Sequence, residues 1–594
     1  MCTAVQEKKI SVSGFTLVEL LVGIGLLLLI FVGILGVMRL SVILIATTSA
    51  DIGAVALANE QLEMLRSLPY DDVGTVSGIP AGSILQNESI TLNNVAYNRR
   101  TFIEYVDDPQ DGLGVADSNS ITADYKVAKV EITWTVHGMS ESFSLVTNIV
   151  PKGVESLAGG GTLTINVFDA VGAPVTNAEV HVLNNTTTST IDVISYTNAS
   201  GVTTFPGAPA ASDYQIFVSK AGYSSAQTYE ATTTNPNPNP GPVSVVEAAT
   251  TEVSFAIDQW STKTVRTFEP IRTTTYSDAF ADGTGLSATS STIVSGGQLA
   301  LYDPGSGYGL ATGTARSVGI TSSYLVSWDE LRFDDNTPPS TNALYHIYYD
   351  NGGTPTLVPD GVLAGNSGGF KTSPVDLTGI STTTYGTLMI GTELKTSDAS
   401  TTPAVLSWEL DYDEGPIPLP DFPFAMRGTK TIGSDAGANP IYKVDLNMQT
   451  DGSGVVSTST LEWDSYTITV DDGATGYDVS EICPPQPRAI SPATNVTTDL
   501  ILVPDTPNTL LVTVWDDIGD LLPGASVRLH RSSGYDTTVT TDDCGQAFFE
   551  SVPLGTIAGG NAYDLDISAG GYTTDNQTNI EVSGVSSAQS TLFP

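Results

Sequence analysis

The stretch that most constrains this 594-residue chain is an apolar run near its beginning. From Phe15 to Met38 the only charged residue is Glu19. A helix of this length crosses a bilayer core of roughly 30 Å. A carboxylate inside such a helix is costly in lipid and requires a specific partner. The run therefore predicts a membrane helix that makes one specific polar contact.

The segment before the apolar run is short and polar, carries Lys8 and Lys9, and ends at Gly14. A secretory signal peptide has its small-residue cleavage site after its apolar run. Here the small residue lies before the run, so cleavage after Gly14 leaves the apolar helix on the mature protein. The two lysines predict a single-pass protein with a cytoplasmic amino terminus and its bulk outside the cell.

The residues Ser13-Gly14-Phe15-Thr16-Leu17-Val18-Glu19 resemble the processing site of type IV prepilins and of the related pseudopilins of type II secretion. The resemblance implies that a prepilin peptidase cuts between Gly14 and Phe15 and methylates the new amino terminus at Phe15. It also implies that Glu19 pairs with the amino terminus of a neighbouring subunit during assembly. The alternative is an ordinary signal anchor, in which the helix dipole and snorkelling tolerate the glutamate.

The helix is predicted to continue beyond the membrane to residue 68, where Pro69 follows. Its second half is amphipathic: one stripe of residues runs along the helix, and Ala58, Leu62 and Leu65 lie next to that stripe. The stripe itself consists of Leu57, Gln61, Met64 and Leu68. Type IV pilins are built in this way, so the resemblance extends to a head at 70–153 made of three or four antiparallel strands.

One acidic loop within the predicted head is a candidate calcium site. It contains Asp107, Asp108 and Asp111. Some pseudopilins hold calcium in a loop of this kind, and carboxylates suit that ion. The spacing fits no defined calcium motif, and a plain Asp-Pro and Asp-Gly turn is the alternative.

Three downstream stretches share one order of elements and are predicted as small β-sandwiches at 162–260, 417–505 and 508–594. Each alternates apolar and polar residues over short strands broken by Gly, Pro and Asp. The middle copy is the weakest. The order resembles the carboxypeptidase regulatory-like (transthyretin-like) domains of bacterial surface proteins. This resemblance implies spacer or binding modules, each with a core tyrosine: Tyr214, Tyr466 and Tyr563.

Residues 270–415 are predicted as one larger sandwich, similar to jelly-roll lectin or carbohydrate-binding modules. The stretch is rich in Ser, Thr and Gly and contains alternating aromatic residues. Such rings either stack on sugars or form core and cross-strand pairs, and the second role is the commoner one. The rings are Trp328, Tyr345, Tyr348, Tyr349 and Trp408.

The exported part of the chain is strongly acidic. The net charge is −42, and beyond Ser67 there are 19 basic and 60 acidic residues, a net −41. This charge argues against direct binding to nucleic acid or anionic lipid. No nucleophile with its base, phosphate loop or Cys/His metal set occurs at a meaningful spacing, so we expect no enzyme. A glycosidase with two distant acids within 270–415 stays open.

The chain has three cysteines, of which Cys2 lies in the leader. Cys483 and Cys544 form a candidate disulfide, because exported proteins meet oxidising conditions. The sequence leaves open whether their geometry permits the bond. No cofactor is expected apart from the candidate calcium.

The predicted fold class is an α+β pilin-like amino-terminal part, with a long helix and an antiparallel sheet, followed by all-β sandwiches in a multidomain array. The predicted segments are a leader at 1–14, a helix at 15–68, a head at 70–153, and sandwiches at 162–260, 270–415, 417–505 and 508–594. We interpret the chain as a minor type IV pilin-like surface protein that serves adhesion or pilus assembly.

Two alternatives to this interpretation remain. One is a pseudopilin of a secretion or DNA-uptake machine. The other is a membrane-anchored surface or carbohydrate-binding protein that never enters a filament. The expected partners are the prepilin peptidase, other pilin or pseudopilin subunits, the membrane, and a glycan or other surface ligand.

Overall fold

The computed structural model describes residues 17–108, 110, 124–152, 160–187, 190–308, 312–532 and 534–594; within the first helix, the side chain of Glu19 lies outside this description. One long helix is followed by a series of mainly antiparallel β-sheets, as the sequence predicts. The chain divides into two compact units, residues 1–260 with 431–442 and residues 261–430 with 443–594.

The first unit begins with helix α1, Leu17–Ser67, and a short 3-10 helix, Tyr70–Asp72. A four-stranded antiparallel sheet follows, with its strands in chain order. Its strands are β1 Asn87–Leu92, β2 Val95–Val106, β3 Tyr125–Val136 and β4 Met139–Ile149. The second half of α1 lies on this sheet, and the two share one apolar core.

The first unit also holds a β-sandwich whose two sheets enclose a second core. One sheet has the order Thr250–Ala256, Gly160–Phe168 and Val202–Pro209. The other has the order Ala226–Gln227, Ala211–Ser219, Glu179–Asn184 and Ile191–Tyr196, with Val243–Val245 also paired to the second of these. A separate small sheet joins Asn237–Pro238, Thr431–Ser434 and Pro440–Tyr442.

The second unit contains the larger sandwich, whose two sheets enclose the most extensive core. One sheet has the order Thr292–Val294, Leu299–Leu301, Ala404–Glu414, Leu325–Asn336 and Val375–Asp376, with Arg272–Asp278 also paired to the third of these. The other has the order Leu286–Ser290, Thr312–Ser317, Leu388–Thr396, Thr341–Asn351 and Thr354–Leu357.

A smaller sandwich of the second unit is assembled from two distant parts of the sequence. One of its sheets has the order Ile417–Pro418, Ser261–Glu269, Asn495–Pro504 and Tyr477–Cys483, with Val455–Leu461 also paired to the second of these. The other has the order Asp445–Gln449, Pro423–Gly428, Asp464–Thr469 and Arg488–Ile490. A short helix α2, Asp472–Thr475, precedes the strand Tyr477–Cys483.

The last sandwich follows directly along the chain. One sheet has the order Gln546–Phe549, Asn508–Asp516 and Gly584–Leu592. The other has the order Tyr535–Thr540, Ser526–Arg531, Tyr563–Ser568 and Asp575–Ile580.

The three small sandwiches share one feature of topology, a parallel pair that includes the first strand. Gly160–Phe168 runs parallel to Thr250–Ala256, and Asn508–Asp516 runs parallel to Gly584–Leu592. In the middle copy the equivalent first strand is Ser261–Glu269, parallel to Asn495–Pro504. The larger sandwich is therefore inserted after the first strand of the middle copy. The domain boundaries predicted from the sequence left residues 261–269 outside every domain. They therefore gave the sandwich at 417–505 no first strand of this parallel-paired kind.

Candidate functional site

The first half of α1 is the part of the described chain suited to a membrane. It is the one described helix long and apolar enough to cross a bilayer, and the side chains of its most apolar stretch are not buried. Its large apolar side chains are exposed from Leu17 to Ile45. This helix is compatible with a membrane anchor or signal.

The second half of α1 presents a continuous buried stripe to the sheet. The buried residues recur every three or four positions, so they lie on one face of the helix. They are Ala50, Gly53, Ala54, Leu57, Ala58, Gln61, Leu62 and Leu65. Opposite them lie the core residues Val130, Ile132 and Trp134 of β3. Met64, which was expected in the stripe, is 40 % exposed, because the small residues Ala50, Gly53 and Ala54 set the contact face one position away.

Helix α1 and the sheet are in tight contact at Gly53 and Tyr97. The Tyr97 hydroxyl is buried and donates a 2.9 Å hydrogen bond to the carbonyl oxygen of Ala50. A Cβ atom on residue 53 would lie 2.5 Å from the same hydroxyl oxygen, so only glycine fits without a shift. Burial, with a smaller contribution from Asp51, raises the pKa of Tyr97 and keeps its hydroxyl a donor.

A buried lysine ties β3 to the chain that leaves α1. The Lys126 ammonium donates a 2.8 Å hydrogen bond to the carbonyl oxygen of Tyr70. It also lies 4.3 Å from the centre of the Tyr70 ring and 5.0 Å from that of Tyr105. These cation–π contacts compensate part of the cost of burying the charge.

The sheet β1–β4, called the head sheet below, and the sandwich that follows it in the first unit are joined by specific contacts. Arg100 lies over the Tyr196 ring at 5.5 Å and donates to the carbonyl oxygen of Ile194. The Gln86 amide donates a 2.7 Å hydrogen bond to the carbonyl oxygen of Asp192. Between the head sheet and this sandwich lies a cavity of about 890 Å³, lined by residues of β2 and of both sheets of the sandwich.

Glu104 of β2 lines this cavity, and sequence reasoning did not single it out. Burial raises the pKa of its carboxyl to about 7. Sequence gives little signal for this, because Glu104 simply occupies one position of an alternating strand. Its unusual environment arises only from the packing of the sandwich against the head sheet.

The residues predicted for processing and assembly fall at the edge of the described chain. Gly14 and Phe15 lie outside the described residues, as does the side chain of Glu19, whose backbone belongs to α1. Their roles stay predictions.

The predicted calcium loop is described only in part, since Asp111 lies outside the described residues. The Asp108 carboxylate accepts a 3.1 Å hydrogen bond from the amide of Gln110, and the Asp108 amide donates to the carboxylate of Asp124. These contacts are those of a turn closed by aspartates. Asp107 is adjacent on the same turn, and the calcium role of this loop stays a prediction.

Cys483 and Cys544 are joined as a disulfide, with their Cα atoms 5.8 Å apart. The bond links the strand Tyr477–Cys483 of the middle sandwich to the last sandwich. Beside it, the side-chain oxygen of Gln546 accepts a 2.8 Å hydrogen bond from the amide of Ile482. Burial, and then Asp542, raise the pKa of the neighbouring Glu481 to about 7.

The three core tyrosines expected from the resemblance to transthyretin-like domains are confirmed as buried: Tyr214, Tyr466 and Tyr563 are each at most 1 % exposed. Each hydroxyl donates to a backbone carbonyl four to ten residues earlier, at Pro209, Glu462 and Pro553 respectively. The three small sandwiches therefore share this buried tyrosine hydrogen bond as well as the parallel pair that includes the first strand.

Three of the five candidate aromatic rings of the larger sandwich are core residues. Trp328, Tyr345 and Trp408 are fully buried. They pair with Tyr412, Phe333 and Phe280 respectively. Tyr348 and Tyr349 are partly exposed, and Tyr349 packs edge-on against Tyr385. Most of the candidate rings are thus core residues, as cross-strand aromatic positions usually are.

Comparisons with known proteins give no family. The sequence matches no protein-family model and no curated protein. Solved structures that align with it include the Bacillus anthracis TIE protein, at 10 % identity over 85 % of this chain and 73 % of that one, with a TM-score of 0.15. BcpA, the major pilin subunit of Bacillus cereus, aligns at 8 % identity over 73 % of this chain and 99 % of that one, with a TM-score of 0.13.

A third aligned structure is the shaft pilin SpaA from Lactobacillus rhamnosus GG. It aligns at 13 % identity over 30 % of this chain and 87 % of that one, with a TM-score of 0.13. TM-scores this far below 0.5 carry no argument about function, so the functional conclusion rests on the chain's own residues.

Proposed function

We propose that this chain is a minor type IV pilin-like surface protein that enters a filament through α1 and displays its sandwiches outside the cell. The observation that carries the proposal is the division of one helix into two halves. Leu17–Ile45 exposes apolar side chains all round, whereas the stripe from Ala50 to Leu65 is covered by the sheet β1–β4. A helix that only anchored a protein would not need to continue rigidly into the first globular core.

Assembly would place the exposed half of α1 among the helices of other pilins within the membrane and then within the filament. Glu19 would neutralise the Phe15 amine of a neighbouring subunit. A carboxylate in lipid is costly alone, and removal of one partner of a buried pair leaves an uncompensated charge. This pairing explains a single glutamate in an otherwise uncharged segment.

The remaining chain would serve display and not catalysis. We propose a leader at 1–14, the helix, the head, and four sandwiches, with residues 261–269 added to the sandwich at 417–505. An array of this bulk would clash if it stood at every position of a filament, so we place the protein at a tip or in low abundance. Its surface ligand would contact exposed side chains, because the aromatic residues of the larger sandwich are mostly core.

The test is mass spectrometry of the mature amino terminus, from membranes and from sheared filaments. We expect a chain that starts at N-methylated Phe15 in both fractions. The variant Glu19→Ala should be processed but lost from filaments. Glu60→Ala is the matched control, because Glu60 is exposed on the same helix beyond its apolar half.

Three outcomes separate the alternatives. An intact Met1 start would reduce the protein to a membrane-anchored surface array and overturn the assembly mechanism. Processing without any appearance in sheared filaments would instead favour a pseudopilin that stays in the cell envelope. Equal filament incorporation of Glu19→Ala and Glu60→Ala would remove the role proposed for Glu19.

A further inference from the structure

Three aspartates of the second unit converge from separate parts of the sequence. Asp472 begins helix α2, Asp478 lies in the strand Tyr477–Cys483, and Asp505 follows the strand Asn495–Pro504. One carboxylate oxygen from each lies within 4.8 Å of the other two. Asp472 and Asp478 are six residues apart, Asp505 lies 27 residues further along the chain, and no calcium motif in the sequence contains them.

Backbone contacts fix this convergence. Gly476 ends α2 in the left-handed conformation, with φ of 74°, and leads directly into the strand that carries Asp478. The Asp505 amide donates a 2.9 Å hydrogen bond to the carbonyl oxygen of Gly476. Asp478 itself pairs in register with Val503, two residues before Asp505. The three carboxylates are therefore held by a helix end, a strand and the turn after its partner strand.

Asp478 is the unusual member of the set. It is only 1 % exposed, and one of its carboxylate oxygens, Oδ2, accepts a 2.9 Å hydrogen bond from the amide of Thr506. The other, Oδ1, is buried and has no hydrogen-bond partner among the described residues. A buried carboxylate oxygen without a donor costs free energy unless something else compensates its charge.

Basic residues do not provide that compensation. None of the three aspartates forms an ion pair with a lysine, arginine or histidine within the described part of the chain. Burial raises the pKa of Asp478, and the charges of Asp505 and Asp472 raise it further. The local electrostatics thus favour a positive charge that the described residues do not supply.

A cavity of about 220 Å³ lies beside these groups and has room for an ion with its water. Asp472 and Asp478 line it, together with Thr509 at the start of the last sandwich. The hydroxyl of Thr509 is also buried, and it also lacks a hydrogen-bond partner among the described residues. Two unpartnered buried oxygen atoms therefore belong to residues that line one cavity.

We propose that Asp472, Asp478 and Asp505 bind one Ca²⁺ at the join between the last two sandwiches. Ca²⁺ takes oxygen ligands at 2.3–2.6 Å in irregular geometry, so two of its ligands are roughly 5 Å apart at most. The observed separations meet this limit. The ion would tie Asp505, in the connection between the sandwiches, to the helix and strand of the middle sandwich and stiffen that connection.

The experiment is calorimetric titration of CaCl₂ into the full-length protein in detergent, after treatment with EDTA and in 150 mM salt. Asp478→Asn is expected to weaken the binding of one Ca²⁺ per chain at least tenfold. Asp517→Asn is the matched control, because Asp517 is exposed and outside the cluster, and it should bind as the wild-type chain does. If the two variants bind Ca²⁺ with the same affinity and stoichiometry, the proposal is overturned, even where Ca²⁺ also binds elsewhere on this acidic chain.

Two further measurements keep the test decisive if Asp478→Asn folds poorly. Asp505 is exposed, so Asp505→Asn should fold and still lose the same Ca²⁺; wild-type affinity in this variant would contradict the proposal. In hydrogen exchange, Ca²⁺ should slow exchange in 471–478 and 504–508 together in the wild-type chain but not in Asp478→Asn or Asp505→Asn. An Asp478→Asn protein that is more stable than wild type and binds Ca²⁺ unchanged would show that Asp478 is merely a protonated buried acid.

Discussion

Gly53 and Tyr97 set how closely the helix approaches the head sheet. The hydroxyl of Tyr97 occupies the space that a side chain on residue 53 would need. It also donates a hydrogen bond from the sheet to the Ala50 carbonyl oxygen of the helix. One glycine and one tyrosine thus couple helix α1 to the sheet β1–β4.

At this scale we expect Gly53→Ala to loosen the contact between helix and sheet. Overpacking of this kind typically costs about 1–3 kcal/mol, which exceeds the gain of about 1 kcal/mol from replacing glycine by alanine in a helix. Hydrogen exchange in residues 50–65 of the detergent-solubilised protein should accelerate.

Gly33→Ala is the matched control, because a Cβ atom there meets nothing within 4 Å. It should leave exchange in residues 50–65 unchanged. If Gly53→Ala also leaves it unchanged, the close approach at Tyr97 is not what holds the helix.

At the scale of elements, strand β2 carries a titratable group into the cavity between the head sheet and the first sandwich. Glu104 has its pKa raised to about 7, so the folded protein holds this proton more tightly than the unfolded chain does. The associated stability is complete below the unfolded pKa of about 4.5 and is lost as pH rises towards and through 7.

Glu104→Gln should therefore raise the unfolding temperature of the first unit at pH 8 and have little effect at pH 4.5. Calorimetric scans at the two pH values measure this difference. Glu141→Gln, an exposed residue of β4, should show no such pH-dependent gain. A Glu104→Gln protein that is less stable than wild type at pH 8 would show that the ionised carboxylate makes a favourable contact.

Turns closed by a polar side chain recur in equivalent positions of the small sandwiches. Asp169 accepts from the amides of Val171 and Ala173, and Asp516 accepts from those of Ile518 and Asp520. Because turn chemistry is local, such residues make the repeat recognisable in the sequence.

At the scale of the whole molecule, the disulfide closes a loop of 61 residues between the middle and last sandwiches. Constraint of the unfolded chain by such a loop typically contributes about 2–5 kcal/mol. We expect Cys483→Ser to lower the unfolding temperature of the last two sandwiches in calorimetry.

Added reductant should lower the unfolding temperature of wild type in the same way and leave Cys483→Ser unchanged. Cys2→Ser, in the predicted leader, should behave as wild type throughout. Equal stability of Cys483→Ser and wild type under oxidising conditions would mean that the bond adds no constraint.

Features whose physical cause is local could be predicted from the sequence. Uninterrupted hydrophobicity predicted the helix, and alternation and turn residues predicted the β-rich chain. The resemblance of the repeats to transthyretin-like domains implied the core tyrosines. The processing residues Gly14, Phe15 and Glu19 were also identified from a local motif, and their roles await the amino-terminal measurement.

Features that depend on contacts between distant segments could be seen only in the folded structure. Ser261–Glu269 belongs to a sandwich completed more than two hundred residues later, because parallel pairing leaves no mark in the intervening sequence. The contact face of α1, the burial of Glu104, and the meeting of Asp472, Asp478 and Asp505 likewise arise from packing. Each depends on which groups the fold removes from water, and that is a property of the folded chain.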